Sequence, residues 1–157
     1  MYPYFALGQG CQSPVGRGGG PNYISLGPGC WYTHTAAHEV MHSLGFWHEQ
    51  MRPDRDQAVE IQWGNISPSM KYNFGKLAPE KWDSFGSPYD ILSVMQYPGD
   101  AFSQNGQPTI IDKRTGRSVP WNKAVSQSDY EQINLLYRCS NTGERPLTTQ
   151  SPHTRTR

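Results

Sequence analysis

The stretch His38-Glu39-Val40-Met41-His42-Ser43-Leu44-Gly45-Phe46-Trp47-His48-Glu49 constrains this chain more than any other segment, and it holds three of the five histidines. Ala36, Ala37, Val40, Met41 and Leu44 recur at helical spacing, Thr33 or Thr35 can act as N-cap, and Gly45 suits the left-handed residue that ends a helix. The pattern predicts a helix over about residues 35–44. On it, His38 and His42 lie one turn apart, about 5–6 Å between Cβ atoms, so both imidazoles can reach one ion. Zinc takes nitrogen at about 2.0–2.1 Å in a tetrahedral arrangement, so two ligands on one helix face must be completed from elsewhere. Gly45, without a Cβ, lets the backbone leave the helix sharply and bring His48 to the same metal. Glu39 is carried beside the ion rather than on it, where it can take a proton from water at the metal. Each histidine alone reads as an ordinary helix or loop residue; jointly, at this spacing, they do not. His34 lies four residues before His38, at the helix N-terminus, and is not needed once three ligands are assigned.

The remainder of the chain describes a small, loop-rich domain. Its 157 residues suit one domain, and 14 Lys and Arg against 13 Asp and Glu, spread along the chain, give no sign of a nucleic-acid or membrane-surface partner. No apolar run reaches the length of a membrane span, and Met1-Tyr2-Pro3-Tyr4 lacks the basic start and apolar stretch of a signal peptide, so the chain reads as soluble. With 16 Gly and 13 Pro, helix should be the minority and aromatic rings should supply part of the core. Strands are expected over residues 2–7 and 22–26, and a short extended piece over 59–63. Five prolines break residues 64–110 into loops, with one helical turn near 69–72. A second helix is expected over residues 128–137, capped by Ser126 or Ser128, with Tyr130, Ile133, Leu136 and Tyr137 as its apolar face. Residues 140–157, rich in Thr, Ser, Pro and Arg, read as a disordered linker or tail. A bridge between Cys11 and Cys30 would close a Gly/Pro-rich loop, contribute roughly 3 kcal/mol and leave Cys139 over. Three free buried thiols are the alternative, and composition does not choose between them.

Downstream, Ser93-Val94-Met95-Gln96-Tyr97-Pro98 sets a methionine in a tight turn. A buried methionine is usually core filler. Behind the histidine motif it reads as the platform under the metal, with Tyr97 near enough for its phenol to approach the metal or a substrate oxyanion. Together with Arg52-Pro53-Asp54-Arg55-Asp56, Pro68-Ser69-Met70, Asn73-Phe74 and Gln132-Ile133-Asn134-Leu135-Leu136-Tyr137 before Cys139, these segments resemble the astacin family of metzincin zinc metalloendopeptidases over about residues 4–139. The resemblance implies an α+β, metzincin-type zincin fold, with a small partial β-sheet packed on the zinc helix and a loop-rich lower half with a C-terminal helix. It implies one Zn2+ per chain on His38, His42 and His48, Glu39 as general base, and Tyr97 as the tyrosine that swings between zinc and the transition state. Cys11 and Cys30 match a family disulfide, and Cys139 matches half of another whose partner lies further upstream in the family. The opening strand, long helix and next strand of the family's upper half find no match, so residues 1–139 are expected to form the domain without its N-terminal part, with 140–157 as the tail. Family members reach the glutamate matching Glu49 with a freed N-terminal amine. Gln96 stands where the family usually has histidine. Val119-Pro120-Trp121-Asn122 stands where it often supplies a basic residue, so the frequent preference for an acidic residue after the scissile bond is not implied.

The activity expected from the resemblance is hydrolysis of an extended polypeptide laid along residues 22–26 as an edge strand. Disulfides and the Asn65-Ile66-Ser67 sequon would place the parent protein outside the cell, secreted. The rival reading is a zinc-binding but catalytically incompetent fragment or pseudoprotease acting as a binding module; retention of Glu39, dispensable to binding alone, speaks against it. A structural zinc in a cytosolic protein would require a fourth protein ligand, for which His34 is the candidate.

Overall fold

In the computed structural model, which describes residues 3–139, the histidine-bearing helix α1 spans Thr33–Ser43. It starts two residues earlier than its periodicity predicts: the N-cap is the extended Tyr32, whose carbonyl accepts from Ala36 N at 3.0 Å, and no threonine side chain caps it. At the other end Gly45 takes φ 108°, and the amides of Gly45 and Phe46 turn back to the carbonyls of His42 (2.8 Å) and Met41 (3.0 Å). A side chain would be strained at that φ. The backbone of Gly16 lies against Gly45, and its amide donates to the His42 carbonyl at 2.8 Å, so two chain segments close over the helix exit.

Three short strands form a sheet in the order β1-β3-β2, β1 (Pro3–Ala6), β2 (Cys11–Gln12) and β3 (Asn22–Leu26), of which β2 and β3 contact α1. β1 runs parallel to β3, with Pro3 opposite Asn22; β2 runs antiparallel, with Cys11 opposite Leu26. The bounds of β3 are those its alternation predicts, but its place is not. It is the central strand rather than an edge, because β1 pairs with it on one side and β2 takes Ser25 and Leu26 on the other. Ile24 is fully buried, and the Asn22 side-chain amide donates to Gly16 O (2.9 Å) and Ser43 Oγ (3.0 Å), which ties β3 to the last turn of α1. Cys11 and Cys30 are bridged, linking β2 to the segment entering α1, while Cys139 is free and exposed. Ala37, Val40 and Leu44 on α1 are only half-buried, as expected under so small a sheet.

The lower half holds a second sheet, all antiparallel: β4 (Val59–Ile61) lies within the extended piece expected over residues 59–63, while its partners β5 (Ile110–Asp112) and β6 (Arg117–Ser118) were not expected. Strands of two or three residues carry no readable alternation. Residues between β4 and β5 are loops and 3-10 turns, including Pro68–Phe74 where one helical turn was expected. Val59, Ile61, Ile66, Phe74, Ile110 and Val119 form the core there. Helix α2 spans Gln127–Tyr137, one residue longer than expected at its start, and of the two candidate caps it is Ser126 that serves. Its expected apolar face is largely wrong: Tyr130, Leu136 and Tyr137 are exposed, Ile133 alone of the four packs on the core, and the buried positions are Asp129 and Gln132. The expected tail at residues 140–157 lies outside the described residues.

Candidate metal centre

His38 and His42 project from α1 one turn apart, and the Gly45 turn delivers His48 to the same point. The Nε2 of His48 stands 3.2 Å from that of His38 and 3.0 Å from that of His42. His38 Nδ1 faces the Val94 carbonyl at 2.8 Å and His42 Nδ1 faces the Phe46 carbonyl at 2.7 Å. A ring nitrogen against a carbonyl oxygen must carry the proton, so the Nε2 of each of these two rings presents a lone pair. These two lone pairs and His48 Nε2, 3.0 to 3.2 Å from them, converge on one point that a cation can occupy. A tetrahedral zinc with nitrogen at about 2.0–2.1 Å places its ligand atoms about 3.3 Å apart, close to what is found, so this donor set fits zinc. Burial lowers the pKa of all three rings, His42 to about 4 and His48 well below its ordinary value, with the neighbouring imidazoles pushing the last two further down. The rings are therefore neutral at pH 7, the form that ligates metal. Among the described residues no other His, Cys, Asp or Glu joins the three. His34 is elsewhere, stacked on Tyr32 with ring centroids 5.5 Å apart and edge-on to Trp121.

The open side of the triad faces a cleft of about 540 Å³ whose walls include Gln12, Glu39, Trp47, Tyr72, Asn73 and Tyr97. Glu39 is 5% exposed, its Oε2 has no hydrogen-bond partner, and burial raises its pKa to about 7. Tyr97 follows the tight turn of residues 93–96, closed by Gln96 N donating to Ser93 O at 3.1 Å, and its ring centroid lies 4.4 Å from that of His48. Burial raises its phenol to about 12, so it stays protonated. Met95 is 2% exposed, packed with Met41, Phe46 and Val94 below the helix.

Sequence reasoning missed the buried frame behind this site. Glu49 is 3% exposed, and its Oε1 accepts from Arg52 Nη1 at 3.0 Å and from the Asp90 amide at 2.8 Å. Burial pushes the Glu49 carboxyl up to about 7, against the opposing pull of Arg52 and that amide. Opposite charges three residues apart were the available signal. Tyr72 and Asn73 on the cleft wall sit in a 3-10 turn that no periodicity announces.

Comparison with known proteins places this geometry. Zinc metalloproteinase nas-6 of Caenorhabditis elegans is 44% identical over 97% of this chain, and nas-15 of the same organism is 42% identical over 94%. The chain spans 46% and 26% of their respective lengths. High choriolytic enzyme 1, a hatching enzyme zinc-protease from Oryzias latipes, superposes with a TM-score of 0.81 at 38% identity, covering 87% of this chain and 68% of its own. The model of the astacin peptidase family matches residues 2–138, and the family's metal, zinc, agrees with the donor set found in the cleft. The chain therefore belongs to the astacin family.

Proposed function

We propose that this chain is the zinc-binding catalytic part of an endopeptidase acting on extended polypeptides, with His38, His42 and His48 holding one zinc, Glu39 as general base and Tyr97 as a donor to the developing oxyanion. One observation carries the reading: imidazole lone pairs converge beside a buried, unpartnered carboxylate oxygen at the wall of an open cleft. Bound there, zinc would supply Lewis acidity, lowering the pKa of water and polarising a carbonyl. Glu39, buried at the cleft wall with Oε2 unpartnered, is placed both to accept a proton from water and to return it to the departing amine. Tyr97 keeps its proton and offers it as a hydrogen bond to charge developing on the substrate oxygen. Because β3 is central, substrate pairing is assigned to the exposed edge strand β2, whose Cys11 and Gln12 line the cleft.

The domain is assigned to residues 1–139. No helix among the described residues is long and apolar enough to cross a membrane, and the Cys11–Cys30 bridge supports secretion of the parent protein. The sequon supports it less, since Asn65 Nδ2 donates to the Pro108 carbonyl at 2.7 Å. Metal analysis and cleavage of a denatured protein test the proposal together. The wild-type chain should hold one zinc and cleave, and His48→Ala should lose both. A wild-type chain free of zinc after zinc loading sinks the reading, whereas zinc retained without cleavage supports the binding-module alternative.

A further inference from the structure

We propose that Asp129, on α2 and outside the cleft, is a positioning residue that sets zinc affinity through His38. The Asp129 side chain is 2% exposed and its carboxylate accepts three hydrogen bonds, from Ser93 Oγ (2.6 Å), Val94 N (2.9 Å) and Ser126 N (2.8 Å). Its own amide donates to Ser126 Oγ at 3.0 Å, completing the capping box of α2. A capping-box acid ordinarily serves only the N-cap amide. Here the same carboxylate also grips the turn that orients a metal ligand.

Val94 is held on both sides of its Cα: its amide donates to Asp129, and its carbonyl accepts the Nδ1–H of His38 at 2.8 Å. Ser93 Oγ spends its one proton on Asp129 and accepts from Met95 N at 3.0 Å. The Met95 carbonyl then accepts from the amide of Glu49, the residue after His48, at 3.0 Å. One buried anion thus organises the turn on which His38 and the strand of chain carrying His48 both lean. The partner of a ligating imidazole's second nitrogen fixes ring orientation and basicity, and disturbing such a partner typically weakens metal binding about 10–100-fold. Asparagine keeps the shape without the charge, and its amide nitrogen would take the place of the oxygen that accepts from Ser93 Oγ, so that hydroxyl loses its acceptor.

This inference rests on the zinc reading of the three histidines. The test measures zinc affinity of the full chain by competition with a chromogenic chelator, in wild type, Asp129→Asn and Ser126→Ala, with the absorption spectrum of the cobalt-loaded proteins as a second readout. Ser126→Ala removes the hydroxyl that caps α2 and leaves the Asp129 carboxylate, Ser93 and Val94 in place. Asp129→Asn should weaken zinc about 10–100-fold and alter the cobalt spectrum. Ser126→Ala should lower the urea midpoint yet keep affinity within about threefold and the spectrum unchanged, because the cap hydrogen bond does not reach Val94. Equal affinity in wild type and Asp129→Asn, or equal weakening in both variants, overturns the proposal. If Asp129→Asn does not fold, Ser93→Ala replaces it: weakened zinc binding supports the proposal and wild-type affinity overturns it. A wild-type chain that binds no zinc overturns the metal-centre reading itself, and with it this inference.

Discussion

Replacing Glu39 with glutamine should separate what this carboxylate does in catalysis from what it costs the fold. Burial raises its pKa from 4.5 to about 7 in the metal-free protein, and its Oε2 has no partner. Between those two values the unfolded chain has released its proton while the folded chain still holds it, so stability falls as pH rises through this window. Above pH 7 the penalty is complete, at most about 3 kcal/mol for a shift of this size. Glutamine is neutral throughout. Zinc-stripped Glu39→Gln should therefore be more stable than zinc-stripped wild type at pH 8, by up to about 3 kcal/mol, with the difference vanishing near pH 4. Zinc content should be unchanged, because Glu39 is assigned to water and not to the ion. Cleavage should fall about 10²–10⁴-fold, the range for loss of a general base. Urea unfolding at both pH values, metal analysis and cleavage of a denatured protein read the three quantities. A variant keeping more than about a tenth of wild-type cleavage would exclude the general-base role. One that is destabilised at pH 8 would show that Glu39 makes a favourable buried contact absent from the structure described.

Two further substitutions probe the frame around the site. Tyr97→Phe should keep its zinc and lose about 10²-fold in kcat with little change in KM, as for other single oxyanion donors; a change confined to KM would instead assign the phenol to substrate binding. Arg52→Met should destabilise by about 3–5 kcal/mol above pH 7, where the buried Glu49 carboxyl must either stay ionised with the Asp90 amide as its remaining charge-stabilising partner or take up a proton. Adding Glu49→Gln should recover part of that loss, and strictly additive losses in urea unfolding would refute the pairing.

What the sequence disclosed followed the range over which each interaction acts. The metal triad was legible because it is local: a helix period, a glycine turn and three histidines within eleven residues. The Ser126 cap and the limits of β3 were legible for the same reason. The place of β3 in its sheet was not, since that depends on β1 and on the two-residue β2 folding back beside it. The inner face of α2 was misread because Tyr130, Leu136 and Tyr137 count as apolar in any periodicity, while the positions turned inward are Asp129 and Gln132. Those side chains are buried for the hydrogen bonds they make, which apolar patterning does not register.

Long-range polar contacts of this kind explain how a chain with so little regular structure can hold a cleft in shape. Among the described residues, thirteen buried polar or charged residues stand beside twelve buried hydrophobic ones, so the apolar clusters cannot be the whole frame. Loops lack the hydrogen-bond ladder of a sheet, and their buried carbonyls must find donors elsewhere. Arg52, with no exposed surface, donates to the carbonyls of Ser87 (3.0 Å) and Pro88 (3.2 Å) as well as to Glu49 and Asp54. Arg55 serves the carbonyls of Gln50 and Phe74. Gln50 bridges the two cleft walls, donating to Asn73 O at 3.3 Å and accepting from Tyr97 N at 3.4 Å. Such a frame is rigid when complete and fails abruptly when one member goes. Removing Arg52 takes the donor from the buried Glu49 carboxyl and from the Ser87 and Pro88 carbonyls together, at about 3–5 kcal/mol, whereas trimming a core methyl, Ile110→Val for example, costs about 0.5–1.5 kcal/mol. Gln50, which ties Tyr97 to Asn73 across the cleft, is itself held through its carbonyl by Arg55, so the cleft and the lower half share one polar frame.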